Sequence, residues 1–389
     1  MTKKDTEHYS KKIENNRDYK AYIPPKINHD FIFKDNRTLK LLEEASHALG
    51  RLNELSKCIP FVNSFTNMHL NIEALGSGEI EGTKTDIKEL VEYSSKKDIA
   101  KDDLQNTKEI WNLCSTTYKL MNDKIKYRQK YSIKSLERIN KELFRGIVPG
   151  NEYFGKVRNS QNYIGGTSIM DALFIPPTPG ELLALLTDLN DFWYNQDYYL
   201  PDLIKIGIYH FQYETIHPFV DGNGRMGRLL INLQLQDTGL LDLPILCLSN
   251  YWKRFKGLYY DGLSNSRFSG DIEHWVRFFL SSIKEASIER ILTIQKINDL
   301  ANKYNLEINE SYKNPKNHIK LLEYLLEKCP IITVKEIQEE LQLTYQGANK
   351  IIQNFVDMQI LKETSSNKRN RIFMFEEYHD LVFNIVAKN

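Results

Sequence analysis

His217-Pro218-Phe219-Val220-Asp221-Gly222-Asn223-Gly224-Arg225-Met226-Gly227-Arg228 is the stretch from which the rest of this chain is read. It combines an imidazole, a carboxylate, two glycines around an amide, and two arginines. Glycines let backbone N–H groups turn toward an anion, and arginines clamp phosphate oxygens. A carboxylate beside them can hold Mg²⁺, which bridges substrate phosphates. A histidine at the mouth can take a proton from an attacking hydroxyl. The stretch reads as a phosphate-handling transfer site.

Its flanks set the local fold. Upstream, Pro201 suits a helix first turn, and Leu203, Ile206, His210, Tyr213 and Ile216 follow at helical spacing. His217 ends that helix and Pro218 breaks the chain. Downstream, Met226, Leu229, Leu230 and Leu233 open the next helix. The glycine-rich piece is therefore a loop between two helices, with Arg225 to Arg228 in the first turn of the second, where the helix start adds its own positive dipole. Residues 222–227 also satisfy GxGxxG, with Asp242 about twenty residues on. A dinucleotide-binding turn must follow a buried strand, however, and a helix precedes this one. The lysine-Ser/Thr pair of a P-loop is absent too. A plain helix–helix turn with solvated arginines is the bland alternative, and the convergence of base, acid and arginines outweighs it.

Further out, residues 1–36 are polar, contain Pro24-Pro25, and are expected as an extended arm over a larger body. Residues 37–93 look helical, with Leu39, Leu42, Ala45, Leu49 and Leu52 in register and Gly76, Gly78 and Gly82 interrupting. Helices are expected over about 102–124, 135–144 and 180–194, and through 250–310. Residues 146–179 hold Gly150, Gly155, Gly165, Gly166 and Pro176-Pro177, a pattern of loops with a small hairpin. After Pro315 the pattern resets. A helix over 318–329, a capping-box start at Thr333 with Glu336, a helix from Thr344 to about Met358, and two short strands around Ser365-Ser366-Asn367-Lys368-Arg369-Asn370 make a winged-helix pattern.

Bulk properties narrow the class. The 389 residues are 41% hydrophobic and 26% charged, with a net charge of +1, so no global field points to nucleic acid or membrane. Cys58, Cys114, Cys247 and Cys329 are far apart and form no CxxC pair. That disfavours a zinc site or disulfide scaffold and suits a reducing cytoplasm. The polar N-terminal stretch is unlike a signal peptide, and no apolar run is long enough to span a bilayer. A cytoplasmic protein that avoids membranes is expected.

The central stretch resembles the signature of Fic-domain proteins, HPF-x-[D/E]-GNGR-x-x-R, at every specified position. The resemblance extends over about residues 20–290. Val157-Arg158, Tyr163-Ile164-Gly165-Gly166, Ala172 and Pro176-Pro177 resemble the family's flap hairpin, and Leu248-Ser249, Tyr259-Tyr260, His274-Trp275-Val276 and Phe278-Phe279-Leu280 its C-terminal helices. The implied fold is mainly α: a Fic helical core with a small β-hairpin flap, plus a C-terminal winged helix. The expected divisions are an N-terminal region over 1–105, a catalytic core over 106–290, a linker helix over 291–314 and a winged helix over 315–389.

The resemblance also implies an activity, the transfer of AMP from ATP to a Ser, Thr or Tyr hydroxyl of a protein. His217 would be the general base and Asp221 the ligand of Mg²⁺ at the α- and β-phosphates. Gly222, Asn223 and Gly224 would form the anion nest, with Arg225 on the β-phosphate side and Arg228 on the γ-phosphate. Tyr259 and Tyr260 are candidates for the adenine wall, although adjacent aromatics usually include one buried ring. Val157, Tyr163, Ile164 and Gly165 would offer an edge to a target segment. Residues 77–82 fit the family's inhibitory pattern, [S/T]-x-x-x-E-[G/N], with Ser77, Glu81 and Gly82 in the specified places. This order, ahead of the central stretch, is the class II arrangement. Glu81 would make a bidentate pair with Arg228 and so displace the γ-phosphate. Many relatives carry a second serine and an arginine where this chain has Gly78 and Glu79. Gly82 also suits a helix C-cap, which is compatible with the inhibitory role.

Rival expectations are a donor other than ATP (UTP, GTP or CDP-choline), removal of AMP, and a strongly inhibited chain acting mainly as a DNA- or protein-binding regulator. Self-AMPylation and a homodimer are further assemblies the resemblance allows. Residues 315–389 hold ten Lys+Arg and ten Asp+Glu, so the winged helix is neutral, which weighs against DNA.

Overall fold

Two helices that are buried on nearly every side make the centre of the larger unit. The computed structural model describes residues 9–14, 17–33, 35–57, 62–87, 89–90, 93, 105–122, 131–147, 154–364 and 371–383. The first two elements are strands β1 (Tyr9–Glu14) and β2 (Arg17–Tyr22), paired antiparallel with Tyr9 opposite Tyr22. Helices α1 (Asn36–Ser56), α2 (Val62–Glu81), α3 (Gln105–Asn122), α4 (Ile133–Leu143), α5 (Pro179–Tyr194), α6 (Asp202–Ile216) and α7 (Asn223–Asp237) follow, then α8 (Leu248–Arg254), α9 (Lys256–Ser269) and the long α10 (Ile272–Ser311). Every α6 residue from Leu203 to Ile216, except Lys205, is buried, and α7 is buried from Arg225 to Leu235. A helix buried all round is a core element, and α6 and α7 flank the central loop as expected.

The chain divides into two compact units: 1–53 with 69–287, and 54–68 with 288–389. In the first, α6 packs on α5 and α7, and α3 packs on α4 and α7. Trp193, Trp252, Trp275, Tyr209, Tyr213 and Phe219 are fully buried there. Trp275 donates its indole N–H to the Gly207 carbonyl at 2.7 Å, so its one polar atom is satisfied. In the second unit, α11 (Lys316–Glu327), β3 (Ile331–Thr333), α12 (Val334–Glu340), α13 (Tyr345–Asp357), β4 (Lys362–Glu363), β5 (Ile372–Met374) and α14 (Glu376–Phe383) enclose Leu321, Leu325, Ile337, Ile352, Phe355 and Phe375. The sheet order is β3-β5-β4, all antiparallel. Thr333 and Glu336 form the expected capping box, and Thr344 accepts from the Gly347 N–H at 3.1 Å.

Two features depart from the sequence expectation. The arm contains the β1–β2 hairpin, whose strands are too polar for a burial period to reveal them; only 23–33 runs as extended chain, held by Ile27 N–H on Asp188 at 2.7 Å and Gln212 on the Pro25 carbonyl at 2.8 Å. β3, a third strand, and α14 join the C-terminal unit. The helix expected through 250–310 includes α10, which runs on to Ser311. The turn at 365–370, Cys58 and Gly150 lie outside the described residues. Among the described residues no helix is long and apolar enough to cross a membrane.

Candidate active site

The loop between α6 and α7 is held by side chains from α4, from the segment at 158–162 and from the start of α7. His217 caps α6 in the left-handed region, at φ 50°, and its N–H bonds the Tyr213 carbonyl. Gly222 begins α7 at φ 79°, a conformation a β-carbon would strain. Asn223 turns its side chain back, accepting from the Phe219 N–H at 2.9 Å and donating to its carbonyl at 2.8 Å. Its side chain braces the loop, and what it can offer an anion is its backbone N–H. Phe219 and Pro218 are buried, so they pack the loop onto the helices.

Several of these braces are invisible as a sequence pattern. Arg158, buried behind the loop, donates to the carbonyls of His217 (2.9 Å) and Ser160 (3.1 Å) and to that of Pro177. Asn140 of α4 donates to the Asp221 carbonyl at 3.0 Å and accepts from the Gly155 N–H at 2.9 Å. Asn162 donates to the Phe219 carbonyl at 3.1 Å. Carbonyls that would otherwise be lost from water are thus paired.

The acid–base groups are tuned by this crowding. Burial, then the charges of Arg267 and Arg158, lower the pKa of His217 to about 4, so its imidazole is neutral at pH 7. Glu214, one turn earlier on α6, is buried with Oε1 unpartnered among the described residues; burial raises it to about 7, with Glu81 adding to the rise and Arg228 opposing it.

Arg228 is fully buried. Its Nη2 donates to Glu81 Oε1 at 2.7 Å and to the Ser77 carbonyl at 3.0 Å, and its Nε donates to Ser77 Oγ at 2.9 Å. The pair with Glu81 uses a single carboxylate oxygen, where a bidentate one was expected. Burial raises the Glu81 carboxyl, but Arg228, by charge and hydrogen bond, and then Arg225 and His217, outweigh it and leave its pKa below the usual value. Glu81 Oε1 lies against Gly224 at the start of α7. Gly82 ends α2 at φ 89°, with Thr83 N–H on the Gly78 carbonyl at 2.9 Å and Gly82 N–H on that of Glu79 at 3.1 Å, a Schellman cap. The same end of α2 is tied outward by Glu79 to Lys253 at 3.0 Å.

Other predicted residues fall differently. Arg225 donates to Glu109 of α3 at 2.7 Å, a partner the sequence reading missed. Asp221 is largely exposed, with Arg225 Nη2 3.5 Å from its Oδ1; among the described residues no group of three or more His, Cys, Asp or Glu side chains could hold a metal. One carboxylate fits a Mg²⁺ that arrives with phosphates, not a self-sufficient metal centre. Tyr259 is a core residue: it is 1% exposed, stacks on Trp252 at 4.6 Å, and its hydroxyl lies 3.0 Å from His210 Nε2. Tyr260, 37% exposed with Lys256 5.8 Å over its ring, is the one left facing outward.

The flap is one bridge, Ile164 opposite Phe174. Tyr22 N–H bonds the Ile175 carbonyl at 2.9 Å, so β2 covers that side. Tyr163 and Gly165 lie on the other side, and neither donates its backbone N–H among the described residues. Val157 is set apart from this edge, because its N–H is taken by Glu137 at 3.1 Å.

The model of the Fic/DOC family matches residues 130–235, and that of the Fic/DOC family N-terminal region matches residues 39–118. The chain is similar to the protein adenylyltransferase Fic of Drosophila willistoni, 30% identical over 162 residues, or 41% of this chain and 29% of that one. It is also similar to that of Aedes aegypti, 34% identical over 125 residues, or 32% of this chain and 22% of that one. The chain thus matches under a third of the length of these curated relatives. Among solved structures, a Fic family protein from Desulfovibrio desulfuricans G20 has a TM-score of 0.57 at 19% identity, covering 88% of this chain and 97% of that one. Fic-1 from C. elegans has a TM-score of 0.50 at 17% identity, covering 67% and 73%. With the family models falling on α1 to α3 and on the central loop with its helices, the chain is a Fic-domain protein.

Proposed function

We propose that the chain is a protein adenylyltransferase held off by Glu81. The observation that carries this is Arg228, a fully buried arginine at the loop whose donors are occupied by Glu81 and Ser77. In the reaction, a Ser, Thr or Tyr hydroxyl oxygen of a target bonds to the α-phosphorus of ATP. The bond to the bridging oxygen breaks, pyrophosphate leaves, and the hydroxyl proton passes to His217. A neutral imidazole is ready for that proton. Arg228, once free of Glu81, pairs with the γ-phosphate, and the N–H groups at the start of α7 face the other phosphates. Asp221 would hold a Mg²⁺ that arrives with the nucleotide, and the ion would supply charge neutralisation at those oxygens. Tyr260 lies against the base, and Tyr163 and Gly165 offer a target strand the open side of the flap.

The test is labelling with α-phosphate-labelled ATP, of the chain itself and of a lysate. Glu81→Gly is expected to raise labelling at least tenfold, because the anion competing for Arg228 is gone. His217→Ala is expected to remove it. No gain in the first variant sinks the inhibitory reading, and unchanged labelling in the second sinks the base assignment. A second reading, removal of AMP from a modified protein, is favoured by the part-exposed Glu81 carboxylate, which spends only one oxygen on Arg228. AMP release from a pre-modified target that needs Glu81 would select it.

A further inference from the structure

Arg225 has a contact to which the phosphate-binding reading gives no role. Its Nη1 donates to Glu109 Oε2 at 2.7 Å, its guanidinium lies 5.0 Å from the Phe144 ring centre, and its Nη2 is 3.5 Å from Asp221 Oδ1. Side-chain exposure rises along this row in an unusual order: 6% for Arg225, 14% for Glu109, 59% for Asp221. A buried guanidinium thus stands beside the one carboxylate of the loop that faces solvent. A cation at that distance repels a divalent ion and competes for the carboxylate. Glu109 counters both effects. Its charge offsets the guanidinium's, and its shorter contact draws the opposite arm of the fork away from Asp221. Phe144 fixes the guanidinium plane between them. The Gly222 N–H bonds Asp221 Oδ1 at 2.5 Å, which leaves Oδ2 without a hydrogen-bond partner among the described residues.

We propose that Glu109 is a positioning residue that acts through Arg225 to keep Asp221 able to bind Mg²⁺ with a nucleotide. The proposal rests on reading Asp221 as the metal-binding carboxylate. The rival role for Glu109 is a purely structural tie between α3 and α7. Removing one partner of a buried pair destabilises whatever its function, so lost stability does not separate the two roles. The two differ in what they do to metal dependence.

The decisive measurement is calorimetric binding of ATP to the full chain in the Glu81→Gly background, across a Mg²⁺ series and in chelator. With Glu109→Gln, which keeps shape and hydrogen bonding, the Mg²⁺ concentration for half-maximal ATP binding is expected to rise on the order of tenfold, as for other partners of metal ligands. ATP binding in chelator should hold or tighten, because Arg225 has lost its counter-charge. Glu109→Asp should recover most of the Mg²⁺ response. An unchanged Mg²⁺ midpoint, or an equal loss of ATP binding with and without Mg²⁺, overturns the proposal. Asp221→Ala in the same background separates the two layers: if it leaves the Mg²⁺ midpoint untouched, the metal reading itself falls; if it shifts the midpoint and Glu109→Gln does not, only the role of Glu109 falls.

Discussion

Glu214 on α6 and His217 at its C-cap, three positions apart, are tuned in opposite ways. His217 is held near 4 and Glu214 near 7, in both cases chiefly by burial, which disfavours the charged form of each. For His217 the consequence is kinetic. In the Glu81→Gly variant, kcat/KM for AMP transfer should stay flat from pH 8 down to pH 5, where an ordinary imidazole would be largely protonated. A fall centred near 6.5 would contradict the tuning. For Glu214 the consequence is stability. Its folded pKa lies above the unfolded one, so the native state holds the proton longer, and stability declines as pH rises from about 4.5 toward 7. Glu214→Gln should therefore raise Tm at pH 8 and leave it nearly unchanged at pH 4.5, with an upper bound of about 3 kcal/mol on the gain. At this scale the sequence was legible where chemistry is concentrated. His217, Asp221, Arg228 and Glu81 stand in short patterns whose residue types are rarely combined by chance. Glu109, Asn140 and Arg158 are not legible. Glu109 is 116 residues from its partner, and a single acid on a helix looks the same whether it meets solvent or a buried arginine.

On the proposed reading, the element that decides the state of the site is the C-terminal end of α2. Gly76 presses on the backbone of α8, where an added β-carbon would come within 2.7 Å of the Asn250 nitrogen. Beside it, the buried Glu73 accepts from the Ser249 N–H at 2.9 Å, and Glu79 pairs with Lys253 further along α8. These contacts seat α2 along α8 so that Ser77 and Glu81 reach Arg228. Gly76→Ala is expected to cost about 1–3 kcal/mol through overpacking against backbone, which cannot rotate away. It should also raise self-labelling, because α2 must shift to relieve the clash. A melting curve and a labelling assay on the same preparation check both; lost stability with no change in labelling would show that α2 can move without releasing Glu81. The glycines at 76 and 78 read in sequence only as interruptions of a helix. Their meaning depends on α8 and α3 lying close by, and no local pattern reports a neighbour so distant in the chain. Tyr259 and Tyr260 show the same limit: helical phase puts them on different faces, and only packing tells which face is core.

At the scale of the molecule, the mainly helical class and the loop between two buried helices were readable from periodicity, while the β1–β2 hairpin was not, since strands of mostly polar residues carry no burial signal. In the C-terminal unit, the helices over 316–327, 334–340 and 345–357 stand where the sequence puts them. Its Arg371, a cation that could otherwise meet a phosphate, is already engaged: it bonds the Asn349 side chain and lies 3.6 Å from Glu363. With a neutral charge count besides, no salt-dependent DNA binding is expected in a gel-shift titration from about 50 to 200 mM salt, and a steep loss of binding with salt would reverse that expectation. The order of segments along the chain has a further consequence. Ser77 and Glu81 precede Arg228 by about 150 residues. A ribosome releases the N-terminal part first, so α2 is out of the exit tunnel well before the loop that it occupies. On the proposed reading, the nascent protein meets its restraint before it has a site to restrain, and each new molecule enters the cell already switched off.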